Sequence, residues 1–424
     1  MVTPAAVPTE FMKNILLVSG NRIAPATTGG QIHTLSIARA LARIGHSVHI
    51  FSTAGRREDY RSTNIRRGLT METTIEPRLT ESTHLGLTFG FMQALGRRLD
   101  YPRVWQHKML ANGFVPKRLK RALQAADIVV SDLPYCPPIP GPWSDKPWYL
   151  ISHNLEHKLL EQGTARQRRF AGWMRDIEGA APRTYTDILV CAEEDRAFFR
   201  AHDVRSERQL PMVRCGVDPQ LYKFAPGTRA HMRSQLHLSE EDWVLVFSGS
   251  GYAPNVEAFR EIQAFCREEA QFLAESRVYI LVVGSVSRKA HRDGALIVTG
   301  PVPEVVPYFA ASDAGLNLVT RGSGSNVKMF EYLAARLPVI STVFGVRGTE
   351  LTAIQDYLPC SRDDLTAAIS RFIGNDRVFW RNMAEGVWNR HKRNCDIQNL
   401  VTDAISQLPA FADEAPVKVA ASFR

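Results

Sequence analysis

Lys13-Asn14-Ile15-Leu16-Leu17-Val18-Ser19-Gly20 is an apolar run that closes on a polar residue and a glycine, and Thr28-Gly29-Gly30 follows shortly after. Strands buried on both faces of a parallel sheet read this way, since neither face meets water. Beyond the glycines, Ile32, Leu35, Ala38, Leu41 and Ala42 recur at helical spacing, and Gly45 stops the helix. Val48, Ile50 and Phe51 then open a second strand. Strand, glycine loop, helix and strand form a βαβ unit, with a right-handed crossover and a parallel sheet.

The same pattern continues outward. Strands are expected at Asp127–Asp132, Trp148–His153 and Asp187–Cys191. Pro219, Pro226 and Gly227 mark a linker between Asp218 and Glu241. The pattern then restarts with a strand at Val244–Phe247, the loop Ser248-Gly249-Ser250-Gly251 and a helical stripe of Val256, Phe259, Ile262 and Phe265. Further strands are expected at Tyr279–Val283, Leu296–Thr299, Gly315–Leu318 and Pro338–Ser341. Two βαβ series predict an α/β chain of two doubly wound, Rossmann-like domains with a cleft between them. The boundaries read as 1–222 and 223–408, with an unpatterned leader at 1–11 and a loose tail at 409–424.

Composition agrees with that division. The chain has 424 residues, 45% of them apolar and 22% charged, enough for two globular domains. No apolar run reaches the roughly 18 residues a membrane span needs, and Met1–Glu10 has no signal-peptide pattern. Cys136, Cys191, Cys215, Cys266, Cys360 and Cys395 are scattered without metal spacing, so the expected setting is a reduced cytoplasm. The net charge of +9 lies wholly in residues 1–222, which hold 30 Lys+Arg against 21 Asp+Glu. A basic stretch from Leu95 to Ala126 contributes Arg97, Arg98, Arg103, Lys108, Lys117, Arg118, Lys120 and Arg121. It lacks the interleaved aromatics of a base-stacking surface. An anionic membrane face or an anionic acceptor is therefore expected ahead of nucleic acid.

The densest signal for chemistry is Arg321-Gly322-Ser323-Gly324-Ser325-Asn326-Val327-Lys328-Met329-Phe330-Glu331. A strand ends, glycines and serines follow, and a helix starts near Asn326, where free N–H groups and the helix dipole favour a phosphate. Lys328 adds a positive charge in the first turn, and Glu331, on the same face, can accept both hydroxyls of a ribose. The competing reading is a helix capped by Ser325 or Asn326, with Lys328 and Glu331 as a surface pair.

Ser323 to Ala334, followed by Leu337-Pro338-Val339-Ile340-Ser341-Thr342 and Gly345, resembles the donor-site signature of the family 4 retaining glycosyltransferases, which have the GT-B fold. The resemblance implies that Glu331 binds the donor ribose. Ser323 stands where many members carry a second glutamate, so the E-x7-E pair is incomplete. Phe247-Ser248-Gly249-Ser250 with Pro254-Asn255 resembles the opening of the second domain, and Gly300-Pro301-Val302-Pro303 the loop beside the nucleotide base. Cys215-Gly216-Val217-Asp218 is similar to the end of the first domain. Residues 248–257 lack the family's Arg and Lys, which leaves the pyrophosphate charge to Lys328 with Arg321 or Arg288. Gly29-Gly30 resembles the loop beneath the donor phosphates, and His153 in His153-Asn154-Leu155-Glu156 resembles the histidine that reaches the transferred sugar. The implied donor-binding set is Gly29, Gly30, Gly249, Ser250, Val302, Ser323, Gly324, Ser325, Asn326, Lys328 and Glu331, with His153 catalytic. The implied reaction is metal-independent hexosyl transfer with retention from a nucleotide sugar to a glycan, lipid-linked or small-molecule acceptor.

Three alternatives compete with this reading. A nicotinamide-type dinucleotide site fails because Pro254 takes the third glycine position and no acid follows the next strand. A GT-B nucleotide-sugar epimerase stays open as the enzymatic rival, and a basic nucleic-acid-binding protein as the non-enzymatic one. No Asp-x-Asp occurs, so neither a metal nor another cofactor is expected.

Overall fold

A computed structural model describes residues 12–26, 28–55, 70–101, 103–205, 209–322 and 326–411. The chain divides into two compact units; the first runs to Arg214 and takes up the chain again from Ile397, and the second is Cys215–Asp396.

The first unit is built on a seven-stranded sheet of order β3-β4-β2-β1-β5-β6-β7. Its strands are β1 (Asn14–Ser19), β2 (Ser47–Ser52), β3 (Thr70–Glu76), β4 (Leu79–His84), β5 (Ile128–Asp132), β6 (Trp148–Ser152) and β7 (Asp187–Val190). All neighbours are parallel except the edge pair β3 and β4. Its helices are α1 (Gly29–Ile44), α2 (Leu87–Leu99), α3 (Val104–Ala111), α4 (Lys117–Ala125), α5 (Glu156–Gln162), α6 (Ala165–Arg168), α7 (Ala171–Thr184) and α8 (Glu193–His202). The predicted first βαβ unit is present: β1 pairs with β2 in register from Asn14 with Ser47 to Ser19 with Ser52. Thr28 caps α1 in a capping box with Gln31, and Gly45 takes φ 125° at its end.

The second unit repeats the plan, with sheet order β10-β11-β9-β8-β12-β13-β14. Its strands are β8 (Trp243–Ser248), β9 (Val278–Val283), β10 (His291–Asp293), β11 (Leu296–Val298), β12 (Ala314–Asn317), β13 (Val339–Ser341) and β14 (Leu358–Pro359). Only β10 runs antiparallel to its neighbour. The helices are α9 (Thr228–Gln235), α10 (Ala253–Glu268), α11 (Ala270–Glu275), α12 (Val306–Ala311), α13 (Val327–Ala334), α14 (Leu365–Ile373) and α15 (Arg377–Cys395). Gly315 is required by packing, since a Cβ there would lie 2.3 Å from the Tyr332 ring. That approach lets Tyr332 Oη accept from Ser248 N at 3.1 Å and donate to Val246 O at 3.1 Å, fastening α13 to β8.

Three expectations need correction. The second unit begins at Cys215, before the expected boundary at 223. Val217 N donates to Cys395 O at 2.9 Å, and the Tyr222 ring stacks 6.2 Å from Phe309, so residues 215–222 pack within the second unit. The chain also crosses back: α16 (Ile397–Ile405) packs on α1, burying Ile397, Leu400, Val401, Ala404 and Ile405 in the first core. Burying each such large apolar side chain contributes about 1.5–3 kcal/mol, which fixes α16 to that unit. Lastly, Pro409–Phe411 is a 3-10 turn with Phe411 buried in the same core and in edge contact with His46, so the loose tail does not start at 409. The leader at 1–11 and residues 412–424 lie outside the described residues.

Candidate active site

In the second unit, the candidate residues gather where β8, β12 and β13 end. Glycines set the loops there. Gly284 takes φ 108°, and a Cβ would meet Gly249 O at 2.6 Å, so the β9 end closes directly onto the loop after β8. Gly249 N donates to Val283 O at 2.9 Å, which commits that N–H to the sheet rather than to a ligand. Ser250 Oγ accepts from Asn255 Nδ2 at 3.5 Å. Val302 is half-buried in the loop between β11 and α12.

Helix α13 carries the central pair. Asn326 precedes it with no side-chain cap; instead its Nδ2 donates to Gly345 O at 3.1 Å. The Gly345 carbonyl also accepts from Asn317 Nδ2 at 3.0 Å, and a Cβ on Gly345 would strike Ser341 Oγ at 2.4 Å. This clamp holds the loop after β13 against the head of α13. Ser323, Gly324 and Ser325 lie outside the described residues.

Lys328 and Glu331 are each only 6% exposed, which excludes a surface pair. Lys328 Nζ donates to Asn255 Oδ1 at 2.9 Å and sits 4.0 Å from the Phe247 ring centroid, a cation–π contact. An ammonium can donate three times, and among the described residues Lys328 donates once. Burial lowers its pKa from 10.5 to about 7; Glu331 opposes that shift and Arg347 adds to it. Glu331 Oε1 accepts from Tyr222 Oη at 3.2 Å, and no hydrogen bond to its other oxygen is formed by the described residues. Burial pushes the Glu331 carboxyl up, against the pull of the Tyr222 hydrogen bond and Lys328.

The charge expected from Arg321 is committed elsewhere, because Arg321 Nε bonds Glu257 Oε2 at 2.6 Å in a two-pronged pair. Arg288 is exposed. The second cation felt by Lys328 is Arg347, from the clamped loop after β13. Sequence reasoning missed Arg347 and Tyr222, and assigned Asn255 no part, because only the fold brings them to α13. The one sequence signal was Gly345, two residues before Arg347.

In the first unit, His153 lies at the end of β6, 9% exposed. Its Nε2 is 2.8 Å from Asp132 Oδ1 and 3.0 Å from Thr34 Oγ1, and its Nδ1 is 3.0 Å from His33 Nδ1. Asp132 ends β5 and also accepts from Ser19 Oγ at 2.7 Å and Thr34 Oγ1 at 2.8 Å. Burial alone would raise the Asp132 pKa; the hydrogen bond and charge of His153, with the two hydroxyls, outweigh it and hold the carboxyl low. Burial, with His153 nearby, drops His33 to about 3, so His33 is neutral. The ionised Asp132 carboxylate accepts a hydrogen bond from His153 Nε2–H and fixes the ring's orientation. Gly29 and Gly30 open α1 rather than a loop. A Cβ on Gly30 would rest 3.9 Å from His153 Cδ2, an ordinary contact, so packing within the unit does not demand that glycine. Asp132 was visible as the polar end of an apolar strand; His33 and Thr34 gave no signal beyond helical spacing.

The basic stretch divides. Arg97, Arg98, Lys108, Lys117, Arg118, Lys120 and Arg121 are exposed, with Arg118 paired to Glu72, whereas Arg103 is half-buried over the Tyr135 ring.

Two Rossmann-like sheets, each with polar side chains gathered at its strand ends, define a two-domain α/β fold. The description Glycosyltransferase Family 4 matches residues 27–221, and Glycosyl transferases group 1 matches residues 240–375. The chain belongs to the family 4 glycosyltransferases of GT-B fold. Among solved structures, it is similar to sucrose-phosphate synthase from Thermosynechococcus elongatus (TM-score 0.63, 16% identity, 95% of this chain and 100% of that one). It also resembles HepE from Anabaena in complex with UDP-glucose (TM-score 0.60, 14% identity, 93% and 99%). A third similar structure is the UDP-forming α,α-trehalose-phosphate synthase from Burkholderia xenovorans with glucose-6-phosphate (TM-score 0.63, 13% identity, 94% and 100%). Comparison with curated proteins by sequence finds no match. No helix among the described residues is long and apolar enough to cross a membrane.

Proposed function

We propose that the second unit holds a nucleotide sugar at the head of α13, and that its sugar is transferred with retention to an acceptor hydroxyl in glycan, polysaccharide or glycolipid synthesis. The observation that carries this reading is the buried Lys328, whose ammonium makes one hydrogen bond among the described residues where it could make three. A buried cation is costly unless paired, and a diphosphate at the uncapped start of α13 supplies the missing acceptors together with the dipole's preferred sign. Glu331, with one oxygen on Tyr222, offers the other to a ribose hydroxyl. Lys328, Arg347 and the helix start meet the leaving diphosphate's charge, with Asn326 and the Gly249–Ser250 loop beside them. The known ligands of the structural relatives, UDP-glucose and a sugar phosphate, agree with this donor and acceptor chemistry.

In the first unit, His153 is the catalytic candidate, and Asp132 fixes its ring as a positioning residue. The leaving phosphate takes the acceptor's proton, so no protein nucleophile is assigned. The test is a panel of UDP-, GDP- and ADP-sugars offered with mixed acceptors, following nucleoside diphosphate release and product anomeric configuration by NMR. One nucleotide series turns over with configuration kept, and His153→Ala lowers turnover while nucleotide affinity stays. Inversion in the product would remove the retaining mechanism, and release of an epimerised donor sugar would favour the epimerase reading.

A further inference from the structure

The second unit opens on Val217-Asp218-Pro219-Gln220-Leu221-Tyr222. Asp218 Oδ1 accepts from Gln220 N at 3.0 Å and Pro219 fixes the backbone behind it, so Pro219–Tyr222 closes as a 3-10 turn. The turn leaves Leu221 51% exposed and buries Tyr222. Inside, the Tyr222 ring lies nearly parallel to Phe309 of α12, 12° apart, and Phe309 meets the Tyr332 ring of α13 edge-on at 5.5 Å. This stack carries the Tyr222 hydroxyl to Glu331, the residue before Tyr332.

A buried carboxylate is costly unless hydrogen-bonded, and among the described residues Tyr222 is the one hydrogen-bond donor to Glu331. Three titratable groups act on or beside Glu331: Tyr222, Lys328 and Tyr332. Lys328 offers charge, but with a pKa of about 7 it loses that charge as pH rises. Tyr332 donates its hydroxyl to Val246 O instead. Burial, with Glu331 itself, holds the Tyr222 phenol well above its ordinary value, and burial raises Tyr332 too, so neither phenol titrates near neutral pH. Tyr222 is thus the partner that stays a donor whatever the pH. That matters for a ribose grip, because an ionised carboxylate accepts from both vicinal hydroxyls, whereas a protonated one gives up an acceptor. Burial pushes Glu331 toward the protonated form; the Tyr222 hydrogen bond, ahead of Lys328, pulls it back.

We propose that Tyr222 is a positioning residue for donor recognition: its hydroxyl holds the Glu331 carboxylate as an acceptor turned to the ribose, and so sets a preference for a ribonucleotide over a deoxyribonucleotide. The proposal rests on the reading of Glu331 as the ribose ligand. Tyr222 acts through Glu331, so its loss is felt at the ribose and not at the diphosphate.

The full chain is titrated calorimetrically with UDP, GDP and ADP, and then with the 2′-deoxy and 3′-deoxy forms of whichever binds, at pH 6 and pH 8. The parent should prefer the ribose form to at least one deoxy form by about tenfold. Tyr222→Phe keeps the ring stack and should cut that preference about threefold or more, by weakening the ribose form alone. Without the hydroxyl the Glu331 carboxyl is held higher, and a preference that needs the ionised form is lost as pH falls through that pKa. The variant should therefore keep less of the preference at pH 6 than at pH 8, whereas simple loosening would lower it equally at both. In a Glu331→Gln background, Tyr222→Phe should cost nothing further. Tyr222→Met fills the space without a donor and serves if Tyr222→Phe does not fold. A variant that keeps the parent's preference at both pH values, or loses it equally at both, would overturn the inference. A parent that binds nucleotide with no ribose preference would remove Glu331 from the ribose and the inference with it. Failure of every nucleotide to bind would instead remove the transferase reading.

Discussion

Replacing Lys328 by Met should abolish a proton uptake that otherwise accompanies nucleotide binding. In the free protein, burial lowers Lys328 from 10.5 to about 7. That drop corresponds to roughly 5 kcal/mol of disfavour for the charged form. A bound diphosphate reverses the balance by supplying charge-assisted hydrogen bonds to the ammonium. At pH 8 the free side chain is about one-tenth charged, so a complex with Lys328 fully charged takes up about 0.9 proton. The ligand's own terminal phosphate, with a second pKa of about 6, is already ionised there and contributes little. The assay is isothermal titration in two buffers of different ionisation enthalpy, at pH 6 and pH 8. Uptake should be near one proton at pH 8 and absent there in Lys328→Met; at pH 6 it should vanish or reverse, because Lys328 is already mostly charged and the ligand's half-protonated phosphate releases protons. Stability gives a second readout. Because the unfolded state holds the proton up to 10.5, stability rises with pH between about 7 and 10.5, and the Met variant should lose that rise. A parent that binds nucleotide at pH 8 with no proton uptake, or a Met variant that keeps it, would refute the reasoning.

Asp132→Asn should cost about 3–5 kcal/mol of stability, because it uncouples a buried pair and leaves Ser19, Thr34 and His153 with a poorer acceptor; chemical denaturation measures it. The Asp132 carboxyl is held below its ordinary value, so its stabilisation is present above about pH 4 and is lost as pH falls through the folded pKa. The Asn variant should therefore show a shallower acid limb in melting temperature than the parent. Gly315→Ala should destabilise by about 1–3 kcal/mol through overpacking, since its Cβ would press on the Tyr332 ring. An unchanged melting temperature would mean that α13 shifts freely. Removing residues 409–424 should lower the melting temperature by several degrees, because Phe411 is buried in the first core; unchanged melting would show the 3-10 turn to be undocked.

The parallel strands were legible because each is buried on both faces and reads as an unbroken apolar run, β1 and β8 above all. β3 and β4 were not, since Thr70–Glu76 and Leu79–His84 are largely polar. β4 is inside for another reason: Glu81, 1% exposed, accepts from Ile23 N at 2.7 Å, Ala24 N at 2.9 Å and Ser52 Oγ at 2.7 Å. Partner groups of that kind come from distant sequence and leave no periodic trace. The crossing of Ile397–Ile405 back to α1 is a tertiary choice that an amphipathic pattern alone does not encode. At the site, Lys328 and Glu331 were readable because the glycine-rich helix start announces them. Tyr222 lies 109 residues from Glu331 and Asn255 lies 73 from Lys328, so their roles appear only once the sheet is assembled.

Whether α13 of the second unit grips the nucleotide is the central question, and calorimetric titration of parent, Lys328→Ala and Glu331→Ala with each nucleoside and its diphosphate tests it most directly. The parent should bind one diphosphate and prefer it to its nucleoside. Glu331→Ala should weaken both ligands by about ten- to a hundredfold, while Lys328→Ala should erase the preference for diphosphate. Two variants that bind every nucleotide as well as the parent would place the donor elsewhere and contradict the assignment of α13.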